Sequence, residues 1–288
     1  MTLEFPFSFT STSQFFKISP EISIHYEIVE KVLPHDCLFI HGNLASNRWW
    51  YPTATLLKQQ AQLSPQPGSM IMVEFRGCGK SSPPRNEADV NMHFFADDFI
   101  KLIQKLNLKK LDIVGHSTGG NIACLMLAKY PELFRKALLL DPVGPRGVMF
   151  QDPMIETFEK MKKDKRLVTL VLGSTIYHNK ADSAFFKEMI VEDAFTGVKQ
   201  VGHLVIKALN RFNIEEDVRK ITTPTLILHG SMDLVLDIKE SILLHQLIKN
   251  SQFIEIPHQG HCLNVENPEK FTRILMNFFS DIEFTSLL

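Results

Sequence analysis

The chain has 288 residues, of which 44% are hydrophobic and 22% charged, with 31 basic and 32 acidic side chains. Such a composition belongs to a globular protein with a sizeable core, arranged as one elaborate domain or two modest ones. The near balance of charge excludes a general electrostatic pull toward nucleic acid or anionic membrane, and no run approaches the ~20 apolar residues of a membrane span.

In chain order, the amino-terminal stretch MTLEFPFSFTSTSQFF is aromatic but lacks a basic region, a continuous apolar region and a small-residue cleavage site. It does not read as a secretory leader, so a cytoplasmic location is expected. Apolar residues alternate at Ile22, Ile24, Tyr26 and Ile28, as in a strand with one solvated face, and the alternation Phe5, Phe7, Phe9 offers a hairpin partner. Short continuous apolar runs follow at 37–40, 70–75, 111–114, 137–140, 226–228 and 253–256. Runs of that kind suit central strands of a parallel sheet covered on both faces. Helical patterns separate them over 49–62, 92–106, 119–129, 239–249 and 268–279. The alternation predicts an open, mostly parallel α/β sheet with helices on both faces and an antiparallel start.

The alternation fails once. Between Leu140 and Leu226 no strong strand pattern occurs, a gap longer than an ordinary connection. Within it 151–172, 183–197 and 198–212 read as helices carrying Met154, Phe158, Met161, Phe185, Phe186, Met189, Phe195 and Phe212. We read an inserted helical cap over 144–213, on a core made of 1–143 and 214–288. Most of these aromatics would pack the cap onto the core, and a minority would line a pocket beneath it. The run KMKKDKR from Lys160 to Arg166 reads as a solvated helix face. Cys37, Cys78, Cys124 and Cys262 show no paired or metal-type spacing and read as small buried thiols, which fits a reducing compartment.

Chemistry is concentrated at Gly115-His116-Ser117-Thr118-Gly119, between the apolar runs 110–114 and 121–127. Strand, tight turn and helix follow one another there, with glycines two residues either side of a serine. Such a turn lifts the hydroxyl clear of the sheet at a helix N-terminus, where N–H groups favour developing negative charge. A serine hydroxyl needs a base, and the base needs an orienting group. In open α/β sheets ligands gather beyond the C-terminal strand ends, so both partners belong in loops after later strands. Asp233 follows the run 224–228, and His261 follows 252–257.

Taken together, these residues resemble the α/β-hydrolase family, specifically its cap-bearing serine hydrolases of the haloperoxidase, esterase and C–C hydrolase type. His41-Gly42-Asn43 is similar to the family's oxyanion loop, and Arg76-Gly77-Cys78-Gly79-Lys80-Ser81 to its R-G-x-G-x-S turn. Gly115 to Gly119 is similar to its nucleophile elbow. Asp233, and Gly260-His261 ahead of Asn267-Pro268-Glu269, stand where the family keeps its acid and histidine. The resemblance implies an eight-stranded sheet and a catalytic triad of Ser117, His261 and Asp233. It further implies an oxyanion hole made by the backbone N–H groups of Asn43 and Thr118.

Rivals exist for several positions. Asp237 lies four residues beyond Asp233, farther from the strand end. Asp141 follows an earlier strand, and some family members take their acid from that loop, although Asp141-Pro142-Val143-Gly144 reads more as a hinge into the cap. His258 and His261 form an i, i+3 pair, but a metal site would need further ligands and none is evident. His41 suits loop structure, and His116 is expected to point away from the reaction. Gly79-Lys80-Ser81 imitates the end of a phosphate-binding loop, yet Glu74 occupies the position that needs glycine, so nucleotide binding is rejected. Of Trp49 and Trp50, at least one reads as buried packing while the other would reach the pocket mouth.

Serine rather than aspartate at position 117 favours carbonyl substrates over alkyl halides and epoxides. Phe outnumbers Tyr by 22 to 4, which together with the apolar cap suggests a hydrophobic pocket. The expectation is hydrolysis of a small to medium apolar ester or lactone, with the acyl substrate and water as its partners and neither cofactor nor metal. Leu44-Ala45-Ser46 replaces the glycine-rich extension of ring-fission C–C hydrolases, which lowers that alternative. A triad-bearing small-molecule receptor with slow turnover is the other alternative. A homodimer is compatible with the sequence.

Overall fold

The computed structural model describes residues 5–280. Eight strands form one sheet in the order β1-β2-β4-β3-β5-β6-β7-β8. They are β1 (Thr12–Lys17), β2 (Ser23–Leu33), β3 (Cys37–Ile40), β4 (Gly68–Val73), β5 (Leu111–His116), β6 (Phe134–Leu140), β7 (Thr225–Gly230) and β8 (Ser251–Ile256). Pairing is antiparallel from β1 through β2 to β4 and parallel from there to β8. The expected fold class is therefore the observed one.

Side-chain alternation along each central strand feeds two separate cores. Leu38, Ile40, Ile71, Val73, Ile113, Leu139 and Ile227 face α2 (Met92–Lys105), α3 (Thr118–Lys129) and α9 (Ile238–Leu247). Phe39, Met70, Met72, Val114, Leu138, Leu140, Leu226 and Leu228 face the opposite way, toward α1 (Tyr51–Leu63) and α11 (Pro268–Phe279). Trp50 belongs to this second core, with its ring against Phe39 and Phe271. All four cysteines are free and buried, and burial raises every one of their thiol pKa values.

Two sequence expectations need correction. The hairpin partner of β2 is 12–17, not 5–9. Strand β1 is an edge strand exposed along almost its whole length, so it carries no apolar alternation to read. Phe5 and Phe7 instead pack on Phe185 (5.2 Å between the Phe7 and Phe185 rings), and Phe9 packs on Tyr51. The helix expected over 151–172 is broken into α4 (Asp152–Met161) and α5 (Lys165–Thr175). Asp164 causes the break: its carboxylate accepts the N–H groups of Arg166 and Leu167, a side-chain cap that starts a new helix. Beyond α5, the predicted pair of helices is one continuous run. It passes from π-helical Phe185–Ile190 through α6 (Val191–Gly197) and π-helical Val198–Gly202 to α7 (His203–Leu209).

The chain also forms two single turns, α8 (Glu215–Val218) ahead of β7 and α10 (Leu263–Glu266) between β8 and α11. Among the described residues no helix is long and apolar enough to cross a membrane.

A tight junction lies where α3 meets the sheet. A Cβ on Gly119 would stand 2.4 Å from the Ile40 carbonyl oxygen and 2.6 Å from that of His41. Those atoms are backbone and cannot swing aside. Gly119→Ala is therefore expected to cost about 2 kcal/mol or more in stability, read as a lowered urea midpoint at unchanged slope.

Candidate active site

Ser117 sits between β5 and α3 with φ 53° and ψ −120°. That conformation is strained for any residue with a side chain and is found where surrounding structure enforces it. Here the enforcement is visible. Ser117 donates its N–H to the Leu140 carbonyl (3.0 Å), while its own carbonyl accepts from Gly120 (2.9 Å) and Val143 (3.2 Å). Its hydroxyl makes no hydrogen bond among the described residues and faces a cavity of about 360 Å³.

The two strand-end loops meet as expected. His261 Nδ1 lies 2.7 Å from Asp233 Oδ2. The other oxygen of Asp233 accepts the N–H groups of Val235 (2.6 Å) and Leu236 (3.1 Å). Burial alone would raise the pKa of Asp233, but the His261 charge and these donors outweigh it and hold the carboxyl below its usual range. His261 and Ser117 line the same cavity, without a direct hydrogen bond between them. Unliganded sites often leave this contact long.

The rival residues have other employment. Asp237 is exposed and caps α9 by accepting the Lys239 N–H. His258 is exposed, and its N–H bonds to Ser231 Oγ. Asp141 is fully buried at φ 41°, and its Oδ1 accepts the Gly230 N–H at 2.7 Å. Burial, then the nearby charge of Asp233, pushes its carboxyl well above the usual range. Two carboxylates this close in a dry region cannot both ionise. Asp233 has His261 and two N–H donors, so Asp141 is the one that keeps its proton.

Asp141, His229 and Asp233 each present an atom within 4.8 Å of the others and are the described cluster able to hold a metal. As ligands they fit poorly. Asp233 is committed to His261, Asp141 favours its proton, and His229 Nδ1 bonds Ser241 Oγ at 2.9 Å.

Two residues that sequence reasoning underrated hold the histidine loop. His116 Nε2 lies 2.9 Å from the His261 carbonyl oxygen. A carbonyl can only accept, so Nε2 carries the proton and donates. The ring is therefore turned onto the histidine loop rather than away from the site, and burial, followed by the neighbouring His261, drives its pKa down to about 3. Glu266 gathers the Gly260, Cys262 and Tyr177 N–H groups, tying that loop to the chain just after α5. A histidine inside the elbow and an acid five residues after His261 were the available signals, but neither is distinctive alone.

Opposite Ser117, Thr118 stands at the first position of α3, where its N–H has no carbonyl in a preceding turn. Asn43, after β3, lines the same cavity. His41 bonds the Gly42 carbonyl (2.7 Å) and stacks on Phe75, as a loop-forming residue does. Glu74 accepts the Lys80 N–H, closing the 76–81 turn upon protein rather than leaving a phosphate cradle. Trp49, Phe150, Phe158, Leu172, Ile206 and Leu236 supply much of the cavity wall, so Trp49 is the tryptophan that reaches it.

The comparisons agree with this architecture. Residues 38–187 match the family model described as alpha/beta hydrolase fold. The chain belongs to the alpha/beta hydrolase fold family. Over 235 residues it is 24% identical to 2-hydroxymuconate semialdehyde hydrolase of Pseudomonas putida, covering 76% of this chain and 80% of that protein. Among solved structures it is similar to a bromoperoxidase from Bacillus anthracis (TM-score 0.78, 23% identity, 94% of this chain and 100% of that one). It is also similar to the esterase EaEST from Exiguobacterium antarcticum (TM-score 0.77, 22% identity, 93% and 100%). These structural likenesses establish the fold.

The low pKa of His116 has a measurable consequence for this family member. In the unfolded chain the ring takes a proton below about pH 6.5, while in the folded protein it stays neutral down to about 3. The unfolded state thus binds more protons in that window, so stability contributed by the neutral ring falls as pH falls. Between pH 7 and pH 5 the native protein should lose about 2 kcal/mol more than His116→Gln, read from urea midpoints at both pH values.

Proposed function

We propose that the protein is a serine hydrolase that cleaves a carboxylic ester or lactone of a small to medium apolar substrate. The observation that carries this reading is the 2.7 Å bond from His261 to a buried, ionised Asp233, on the wall of a cavity that Ser117 also faces. His261 Nε2 takes the proton from Ser117 as Oγ attacks the carbonyl carbon. Asp233 keeps Nδ1 protonated and stabilises the imidazolium. The N–H groups of Asn43 and Thr118 hold the oxyanion of the tetrahedral intermediate, and each such donor is worth about 3 kcal/mol in the transition state. His261 then protonates the departing alkoxide. Water activated by the same ring releases the acyl group and restores the Ser117 hydroxyl. Residues 144–213 act as a cap over the core formed by the rest of the described chain, with 1–4 and 281–288 of the expected core lying outside the described residues.

The wall chemistry favours esters over ring-fission C–C cleavage. Among the described residues, no Lys, Arg, Asp or Glu lines the cavity. The hydroxyls of Thr157, Ser174 and Thr175 are spent on helix carbonyls. A carboxylate such as that of a hydroxymuconate semialdehyde would lie there without a counter-charge, at a desolvation cost the site does nothing to offset.

A fluorophosphonate probe should label the native protein at Ser117 and leave Ser117→Ala unlabelled. Equal labelling of both, with equal ester turnover, would sink the proposal. Asp233→Asn should fold normally and lose on the order of 10⁴-fold in kcat, because the imidazole is then held in the wrong tautomer.

The apolar wall adds a specificity prediction. Across p-nitrophenyl esters, kcat/KM should rise from acetate to mid-length acyl chains. It should drop by at least about tenfold when the chain ends in a carboxylate. Preference for the carboxylated ester would point to a cation that the wall does not contain.

A further inference from the structure

The loop after β3 that carries Asn43 does not stand by itself. The side chain of Asn43 turns away from the reacting serine: its Nδ2 donates to the Gly202 carbonyl (3.1 Å) on the long cap helix, and its Oδ1 accepts the Leu44 N–H (3.0 Å). Leu44 follows at φ 61°, a left-handed conformation that disfavours leucine. Its side chain and backbone lie directly on two glycines of that helix. A Cβ on Gly202 would stand 2.4 Å from Leu44 Cδ2 and 3.2 Å from Asn43 Oδ1, and one on Gly197 would stand 3.5 Å from Leu44 Cα.

The π-helical stretch Val198–Gly202 separates these glycines by five residues and turns both toward the loop. The extra residue per turn of a π segment makes that possible, and such segments recur at functional sites. Farther along the loop, Ser46 Oγ donates to Asp193 Oδ2 (2.7 Å) and Arg48 Nη1 to Asp193 Oδ1 (2.7 Å), while Arg48 Nη2 reaches the Glu188 carbonyl (3.1 Å). Residues 43–48 are thus held at both ends by one helix of the cap.

The geometry points to a cap-built oxyanion hole, in which the Asn43 side chain is a positioning residue for its own backbone N–H and Gly202 is its seat. The inference rests on the serine-hydrolase reading. An oxyanion donor contributes only if it is already aimed where charge develops, and the Gly42–Asn43 peptide, which bears the Asn43 N–H, is held in place by the bond from the Asn43 side chain to the cap. Lifting the cap helix therefore dismantles the hole. Substrate access and loss of catalytic power become one movement, and ester cleavage proceeds only under a seated cap.

Asn43→Ala keeps the backbone donor but releases it from the helix. With p-nitrophenyl butyrate, kcat should fall between about tenfold and a hundredfold while KM stays within about twofold. Affinity for an alkyl trifluoromethyl ketone, which forms the tetrahedral adduct on the serine, should fall in parallel with kcat. Gly202→Ala disturbs the same seat from the cap side and should reproduce the pattern, so it carries the test if Asn43→Ala folds poorly. Unchanged kcat and unchanged ketone affinity, with only the melting temperature lowered, would overturn the inference and leave the hydrolase reading standing. Failure of the native protein to react with the fluorophosphonate or the butyrate ester would instead remove the hydrolase reading, and this inference with it.

Discussion

The distance between α3 and the sheet sets the position of everything else at the site. Cβ atoms on Gly115 and Gly119 would fall 2.4 to 2.5 Å from backbone oxygens, and one on Gly120 would fall 2.7 Å from Pro142. Three glycines around Ser117 therefore let a helix start almost in contact with β5 and β3. The connection can be made in one residue only if that residue takes a positive φ, and Ser117 takes it. The strain is held by burial and by three backbone hydrogen bonds, one of which comes from Val143 in the loop after β6. The same closeness brings the free N–H of Thr118 beside the hydroxyl. The proposed nucleophile and one of its two proposed oxyanion donors are thus consequences of one packing constraint.

A second constraint is electrostatic. Behind Ser117, three acids (Asp141, Asp233, Glu266) and three histidines (His116, His229, His261) are crowded into largely buried space. Charging them all would be ruinous in a medium of low dielectric. The protein divides the roles by unequal hydrogen bonding. Asp233, with two N–H donors and an imidazole, stays ionised. Asp141 has a single N–H donor, and its pKa rises. Burial lowers His116 and His229 below the ordinary histidine value, so both are neutral at pH 7. The Asp233–His261 pair is left as the polarised element of the cluster, which is the condition for a histidine to work as a base there.

The central strands and the elbow were legible in the sequence because each obeys a local rule. Continuous apolar runs mark strands covered on both faces, and glycine spacing marks a turn with no room for a Cβ. Asp233 and His261 were legible through position, at the ends of β7 and β8. What escaped was governed by tertiary contact. Strand β1 is an exposed edge and has no apolar pattern, whereas Phe5 and Phe7 mimic one while packing on Phe185. His116 and Glu266 act on main-chain atoms of the histidine loop, and such partners leave no spacing in the sequence. The π turns in the cap helix were equally invisible, since a single extra residue barely disturbs an amphipathic period.

Those π turns bear on why the cap sequence looks so unlike a binding element. Gly197 and Gly202 read as weak points in a helix, each costing about 1 kcal/mol relative to alanine. Their value lies across the interface, where they admit Leu44 and bring a helix carbonyl within reach of Asn43. Larger residues would make a better isolated helix and a worse seat for the loop. The same segment is fastened at Asp193 by Ser46 and Arg48, so the cap helix meets the core through the strand-end loop that faces Ser117. A helix weakened at two glycines and joined to the core at that loop suits the proposed cap, whose seating would govern the proposed chemistry beneath it. A cap that only covered the pocket would have no need of either glycine.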